Sequence, residues 1–207
     1  YYQIQDERIR AKAQVRSMLD SGEPHSLLEY IGEVNEELEA KIKLALGKYA
    51  KGQLTGQWSL SICGIGPVLA SGLLSHIDME KAPTVGHIWA FAGLDPTRKW
   101  EKKTKRPWNA KLKCLCWKIG ESFIKQQGRP SDIYGAVYAS RRALEDQRNE
   151  AGAFAEQAAE GAARVGKKTE AWKHYSTGKL PPGHLKARSS RYAVKLFLSH
   201  WHETAYR

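Results

Sequence analysis

The stretch from Ile62 to Leu74, Ile-Cys-Gly-Ile-Gly-Pro-Val-Leu-Ala-Ser-Gly-Leu-Leu, sets a two-glycine turn between apolar residues and places a proline directly after it. Gly64 and Gly66 admit positive φ and a close approach by another backbone, and Pro67 suits the first turn of a helix. The pattern predicts two helices joined by a tight turn, the first from about Gln57 to Cys63 and the second from Pro67. Ile65 would plug the gap between them, and the small Ala70 and Gly72 would let the second helix lie close against the first. Free N–H groups of such a turn, beside a helix N-terminus, form an anion site. Gly64, Ile65, Gly66 and Pro67 are therefore candidate phosphate contacts.

Charge points the same way. In 207 residues, 33 Lys and Arg stand against 22 Asp and Glu, a net charge of +11 that favours a polyanionic partner. Arg98, Lys99, Lys102, Lys103, Lys105, Arg106, Lys111, Lys113 and Lys118 crowd a short segment whose only acid is Glu101. By contrast, Asp20 to Glu39 carries seven acids (Asp20, Glu23, Glu29, Glu33, Glu36, Glu37, Glu39) and no Lys or Arg. A polyanion should meet the middle of the chain and avoid its second helix. Trp100 and Trp108 flank the basic residues, where they would either anchor the loop or stack on bases.

Further motifs follow the turn in order. Leu73-Leu74-Ser75-His76-Ile77-Asp78 leads to His87-Ile88-Trp89-Ala90-Phe91-Ala92-Gly93-Leu94-Asp95-Pro96, and then Trp108-Asn109-Ala110-Lys111-Leu112-Lys113. The run from roughly residue 58 to 124 resembles the C-terminal helix-hairpin-helix domain of insertion-sequence transposases of the bridge-RNA-guided recombinase class. That resemblance implies a grip on duplex DNA through its phosphate backbone; Asn109, Leu112 and Lys113 match the family's Gly-Asn-x-x-Leu-Arg, and Asn109, Lys111 and Lys113 are candidate DNA contacts. Two parts of the family pattern are missing. The serine nucleophile expected just after Gly-Leu-x-Pro is replaced by a window, Thr97 to Thr104, that holds no serine. The first 57 residues are too short and too helical for the family's N-terminal nuclease-like domain with its four acidic metal ligands.

Other chemistry is weakly represented. Three cysteines make no disulfide framework, and Cys114 and Cys116, two apart on a helix, diverge. His200 and His202 diverge likewise, and adjacent Ser75 and His76 do not face one another on a helix. No apolar run reaches the length of a membrane span, and no signal peptide opens the chain, so a cytoplasmic protein is expected. Because it begins at Tyr1 rather than Met, the chain is expected to lack a native N-terminal piece.

The expected fold is mostly α, with an N-terminal helical hairpin arm over residues 1–50, a helix-hairpin-helix transposase-like core over 51–128 and a C-terminal helical region over 129–207 packing on it. Ser26 and Glu29 have capping-box spacing for the second helix, and a long helix should run from Ser131 or Asp132 to about Ala158. On the last helix Arg188, Arg191 and Lys195 share a face and form a second set of candidate phosphate contacts. The leading expectation is duplex-DNA binding without cofactor and without catalysis by this chain alone, copies meeting through the helical arms. The alternatives are an active DNA recombinase that uses Mg²⁺ and an atypical nucleophile such as Thr97 or Thr104 or a partner subunit, and an RNA-binding or scaffolding protein of a mobile element or phage.

Overall fold

A computed structural model describes residues 1–22, 25–101 and 103–206. Among the described residues all regular structure is helical: α1 (Tyr2–Asp20), α2 (Ser26–Lys51), α3 (Leu54–Ser61), α4 (Pro67–His76), α5 (Val85–Phe91), α6 (Ala110–Gln126), α7 (Tyr134–Glu150), α8 (Ala155–Arg164), α9 (Glu170–Ser176) and α10 (Pro182–Tyr206), with a 3-10 turn at Met79–Lys81. None of these helices is long and apolar enough to cross a membrane.

The arm is a pair, α1 against α2, fastened where Tyr1 donates its hydroxyl to Glu39 over 2.7 Å and Arg8 pairs with the same carboxylate. Its far end joins the body. The buried Ser71 hydroxyl of α4 donates to the Leu46 carbonyl of α2 over 2.8 Å, and Gly56 of α3 sits so close to the Ala50 carbonyl that any Cβ would collide. The body has a main core, built from Leu73, Ile88, Leu112, Ile119, Phe123, Tyr134, Phe197 and Trp201 on five helices. Phe123 stacks on Tyr134 with centroids 4.9 Å apart, and Phe197 meets both rings edge-on. Burying each large aliphatic side chain there contributes about 2 kcal/mol. A smaller cluster of Phe154, Leu180 and Leu185, with Tyr175 against it, holds α8 and α9 to the start of α10.

Several local expectations are corrected. The long helix breaks after Glu150, because Gly152 takes φ +77° and Phe154 turns inward to the smaller cluster before α8 begins. Ser26 is the first helical residue of α2 rather than its cap, so the capping box does not form. The helix before the glycine turn starts at Leu54 and ends at Ser61. Gly72 makes its close approach to Leu115 of α6, not to α3.

Candidate nucleic-acid interface

Only one of the two turn glycines needs its freedom. Gly64 adopts φ +91°, whereas Gly66 is extended at φ −95°, ψ 179° and serves as N-cap of α4, with Pro67 at the first helical position. The side chain of Ile65 is buried in the core, so this residue can offer a ligand only its backbone. The N–H groups of Gly64, Gly66 and Val68 find no acceptor among the described residues. They belong to half-exposed residues at the start of α4, where the helix dipole adds partial positive charge. A Cβ on Gly66 would meet open space, which is the space a phosphate would need.

Among the described residues of the basic segment, from Asp95 to Asn109, none is in a helix or strand. Asp95 opens it by accepting from both the N–H and the hydroxyl of Thr97, at 2.9 and 2.7 Å. Those bonds hold its carboxyl below the ordinary aspartate range, with smaller help from the Arg98 and Lys195 charges. Trp100 stays on the loop: its indole donates to the Thr104 carbonyl over 2.9 Å, and the Arg106 guanidinium lies 5.1 Å above the ring. Trp108 is the anchor to the body, half-buried against Gly93, with the Lys113 ammonium 4.1 Å from its ring centre. Lys99, Lys103, Lys105 and Lys111 are exposed, and none has an acidic partner among the described residues. Lys102 lies outside the described residues.

Asn109 does more structural work than its motif suggests. Its Oδ1 accepts from the N–H groups of Lys111 and Leu112 at 2.9 and 3.1 Å, capping α6, while its own N–H donates to the Phe91 carbonyl. The Leu of the same motif, Leu112, is fully buried.

The three cations of α10 part company. Arg188 pairs at 3.1 Å with the buried carboxylate of Glu145, which also holds Arg141, and its guanidinium covers Phe154. Lys195 places its ammonium 4.1 Å from the Trp89 ring centre. Arg191 has no such partner among the described residues and lines a cleft between α6 and α10 with Lys113. Sequence reasoning missed Trp117 in this cleft, a side chain 61% exposed. Its signal was present: Trp117 falls off the apolar stripe of Leu112, Leu115, Cys116, Ile119 and Phe123.

The candidate contacts are not contiguous. Gly64 lies against Ser122 and Gln126 near the end of α6, whereas the basic loop feeds its start at Ala110. At 1.5 Å per residue the two are roughly 20 Å apart along the helix, so a single ligand touching both must run along α6. Among the described residues no group of three or more His, Cys, Asp or Glu side chains is placed to hold a metal ion.

No curated protein and no solved structure matches the chain. Residues 59–112, about a quarter of its length, match the model of the family described as Transposase IS116/IS110/IS902, so the segment from the end of α3 through the glycine turn and the basic loop to the start of α6 is similar to a transposase-family domain.

Proposed function

We propose that this protein is a transposase-like DNA-binding protein that grips duplex DNA by its phosphate backbone, with the helix-hairpin-helix role taken by α3, the turn and α4. The observation that carries the reading is the turn itself: Gly64 at positive φ, unpaired N–H groups on either side of Ile65, and open space beside Gly66 at the start of α4. Exposed lysines of the 95–109 loop would supply long-range attraction and further phosphate contacts. Cytoplasmic DNA would be the partner, and no cofactor is needed for binding of this kind.

The test is Gly66→Val. Its extended backbone accepts valine without strain, and the added methyl groups would fill the space proposed for a phosphate. Duplex affinity by fluorescence anisotropy should fall about tenfold while the melting temperature holds. Unchanged affinity in a folded variant removes the turn from the interface.

One observation favours an active recombinase as a second reading. The Thr97 hydroxyl already donates to a carboxylate, Asp95, as an activated nucleophile would. The same bond is also the ordinary closure of a turn, and an aspartate held below its usual range is a weak base. A covalent protein–DNA adduct that disappears in Thr97→Val would promote that reading; Mg²⁺ would then be tried as its cofactor.

A further inference from the structure

Helices α6 and α10 pack closely at Gly120, where the Ser190 hydroxyl occupies the place a Cβ would take. Beside that point they leave a cleft of about 320 Å³, with Gly93 and Leu94 at its edge. Lys113, Trp117 and Glu121, four residues apart, line one wall from α6, and Lys186, Ser190 and Arg191 line the other from α10. The buried Cys116 and Val194 make an apolar floor.

The charges in this cleft do not balance. Lys186 is neutralised by Glu121 at 2.9 Å. Lys113 and Arg191 have no carboxylate among the described residues. Burial lowers the pKa of Lys113, and the Arg191 and Arg106 charges lower it further; Arg191 is lowered by burial and then by Arg188. Two cations in one cleft, neither paired with an acid, repel each other, and an anion placed there relieves the repulsion. The stem of Lys113, wedged against Gly93 and beneath Trp108, cannot easily swing away. Trp117, on the same wall, is exposed, and among the described residues no aromatic ring or cation stacks on its ring.

We propose that this cleft takes one unpaired nucleotide of a DNA strand, its base against Trp117 and its phosphate between Lys113 and Arg191. The volume lies at the small end of ligand pockets, which suits a single nucleotide. A flat aromatic beside cations serves any base, because stacking is indifferent to base identity. A paired base cannot enter, since it is held inside the duplex, so the site selects a bulged or extruded position. The basic loop supplies the path: it begins one residue after Leu94 of the cleft and ends at Asn109, one helical turn before Lys113, with Arg106 close enough to act on Lys113. This inference rests on the DNA-binding reading, but it uses residues remote from the glycine turn.

The experiment compares anisotropy binding of a fully paired duplex and the same duplex with one extra unpaired deoxynucleotide at its centre. The parent protein should prefer the bulged duplex by about tenfold. Trp117→Leu and Arg191→Gln, each checked by thermal melt, should abolish the preference, and Trp117→Leu should keep the parent's affinity for the paired duplex. No preference in the parent, or a preference that survives in Trp117→Leu, overturns the proposal. Deoxyadenosine monophosphate competing as well as the bulged duplex would assign the cleft to a free nucleotide, and a preference found only with ribonucleotides would exclude DNA as its ligand. If the paired duplex is not bound at all but a single strand binds through Trp117, the backbone grip fails and the cleft stands.

Discussion

The Ser122 hydroxyl donates to the Gly64 carbonyl over 2.6 Å, tying the glycine turn to the end of α6 fifty-eight residues later in the chain. This bond orients the Gly64 peptide and turns the conformation of a short loop into a property of the whole core, because α6 contributes Leu112, Ile119 and Phe123 to that core. A Cβ at Gly64 would stand 2.9 Å from Gln126 Cγ and 3.0 Å from Ser122 Oγ.

The two turn glycines should therefore behave differently. Gly64→Ala forces a left-handed backbone on alanine and crowds Ser122, so it should cost about 1–2 kcal/mol of stability. Gly66→Ala should melt with the parent. Urea denaturation of the two variants checks the contrast, and equal losses would mean that the turn rearranges.

Asn109 separates capping from DNA contact. Asn109→Ala removes the acceptor for two N–H groups of α6 and should lower stability by about 1 kcal/mol, whereas Asn109→Asp keeps the cap. Were alanine to leave stability untouched and weaken only DNA binding, the side chain would be a ligand rather than a cap.

Salt should report the loop. If about five phosphates are engaged, log affinity should fall against log salt with a slope of roughly −4 to −5, whatever the sequence. Replacing Lys103, Lys105 and Lys111 with Ala should flatten the slope by about 2 to 3 if each contacts a phosphate. An unchanged slope moves the contacts elsewhere, Arg191 being the next residue to test.

Acid should loosen the junction of α7 and α10. Burial alone would raise the pKa of Glu145, but Arg141 and Arg188 outweigh it and hold the carboxyl below its ordinary 4.5. A carboxylate lowered on folding contributes stability that is complete above about pH 4.5 and lost as pH falls through the lower folded value. Glu145→Gln should cost about 2–3 kcal/mol at neutral pH, less than a fully buried pair because both arginines keep some solvent contact, and should flatten the acid limb of a stability profile.

The arm carries an exposed apolar stripe whose expected use is self-association. Leu27, Ile31, Val34 and Leu38 recur at intervals of four, three and four along α2 and are 56, 40, 42 and 40% exposed. That is coiled-coil seam spacing. Sedimentation should show a concentration-dependent oligomer that Val34→Glu with Leu38→Glu converts to monomer; a parent that is monomeric at high concentration would leave the stripe without a partner helix from another copy.

Properties that depend on neighbouring residues were legible in the chain before any packing was known. The spacing of Leu112, Leu115, Ile119 and Phe123 announces α6, Pro67 opens α4, and Gly93 stops α5 with φ +65°. The break after Glu150 was harder, because apolar and alanine positions continue at helical spacing past Gly152, and what draws Phe154 off the line is a cluster formed with Leu180 and Leu185. Only the tertiary structure decided which cations remain free. Arg188, Arg191 and Lys195 share a helical face, yet α7 brings Glu145 to the first, α5 brings Trp89 to the last, and α6 brings another cation, Lys113, towards the middle one. Periodicity and backbone freedom act over a few bonds, whereas the availability of a charge is set by what another helix places within a few ångströms of it.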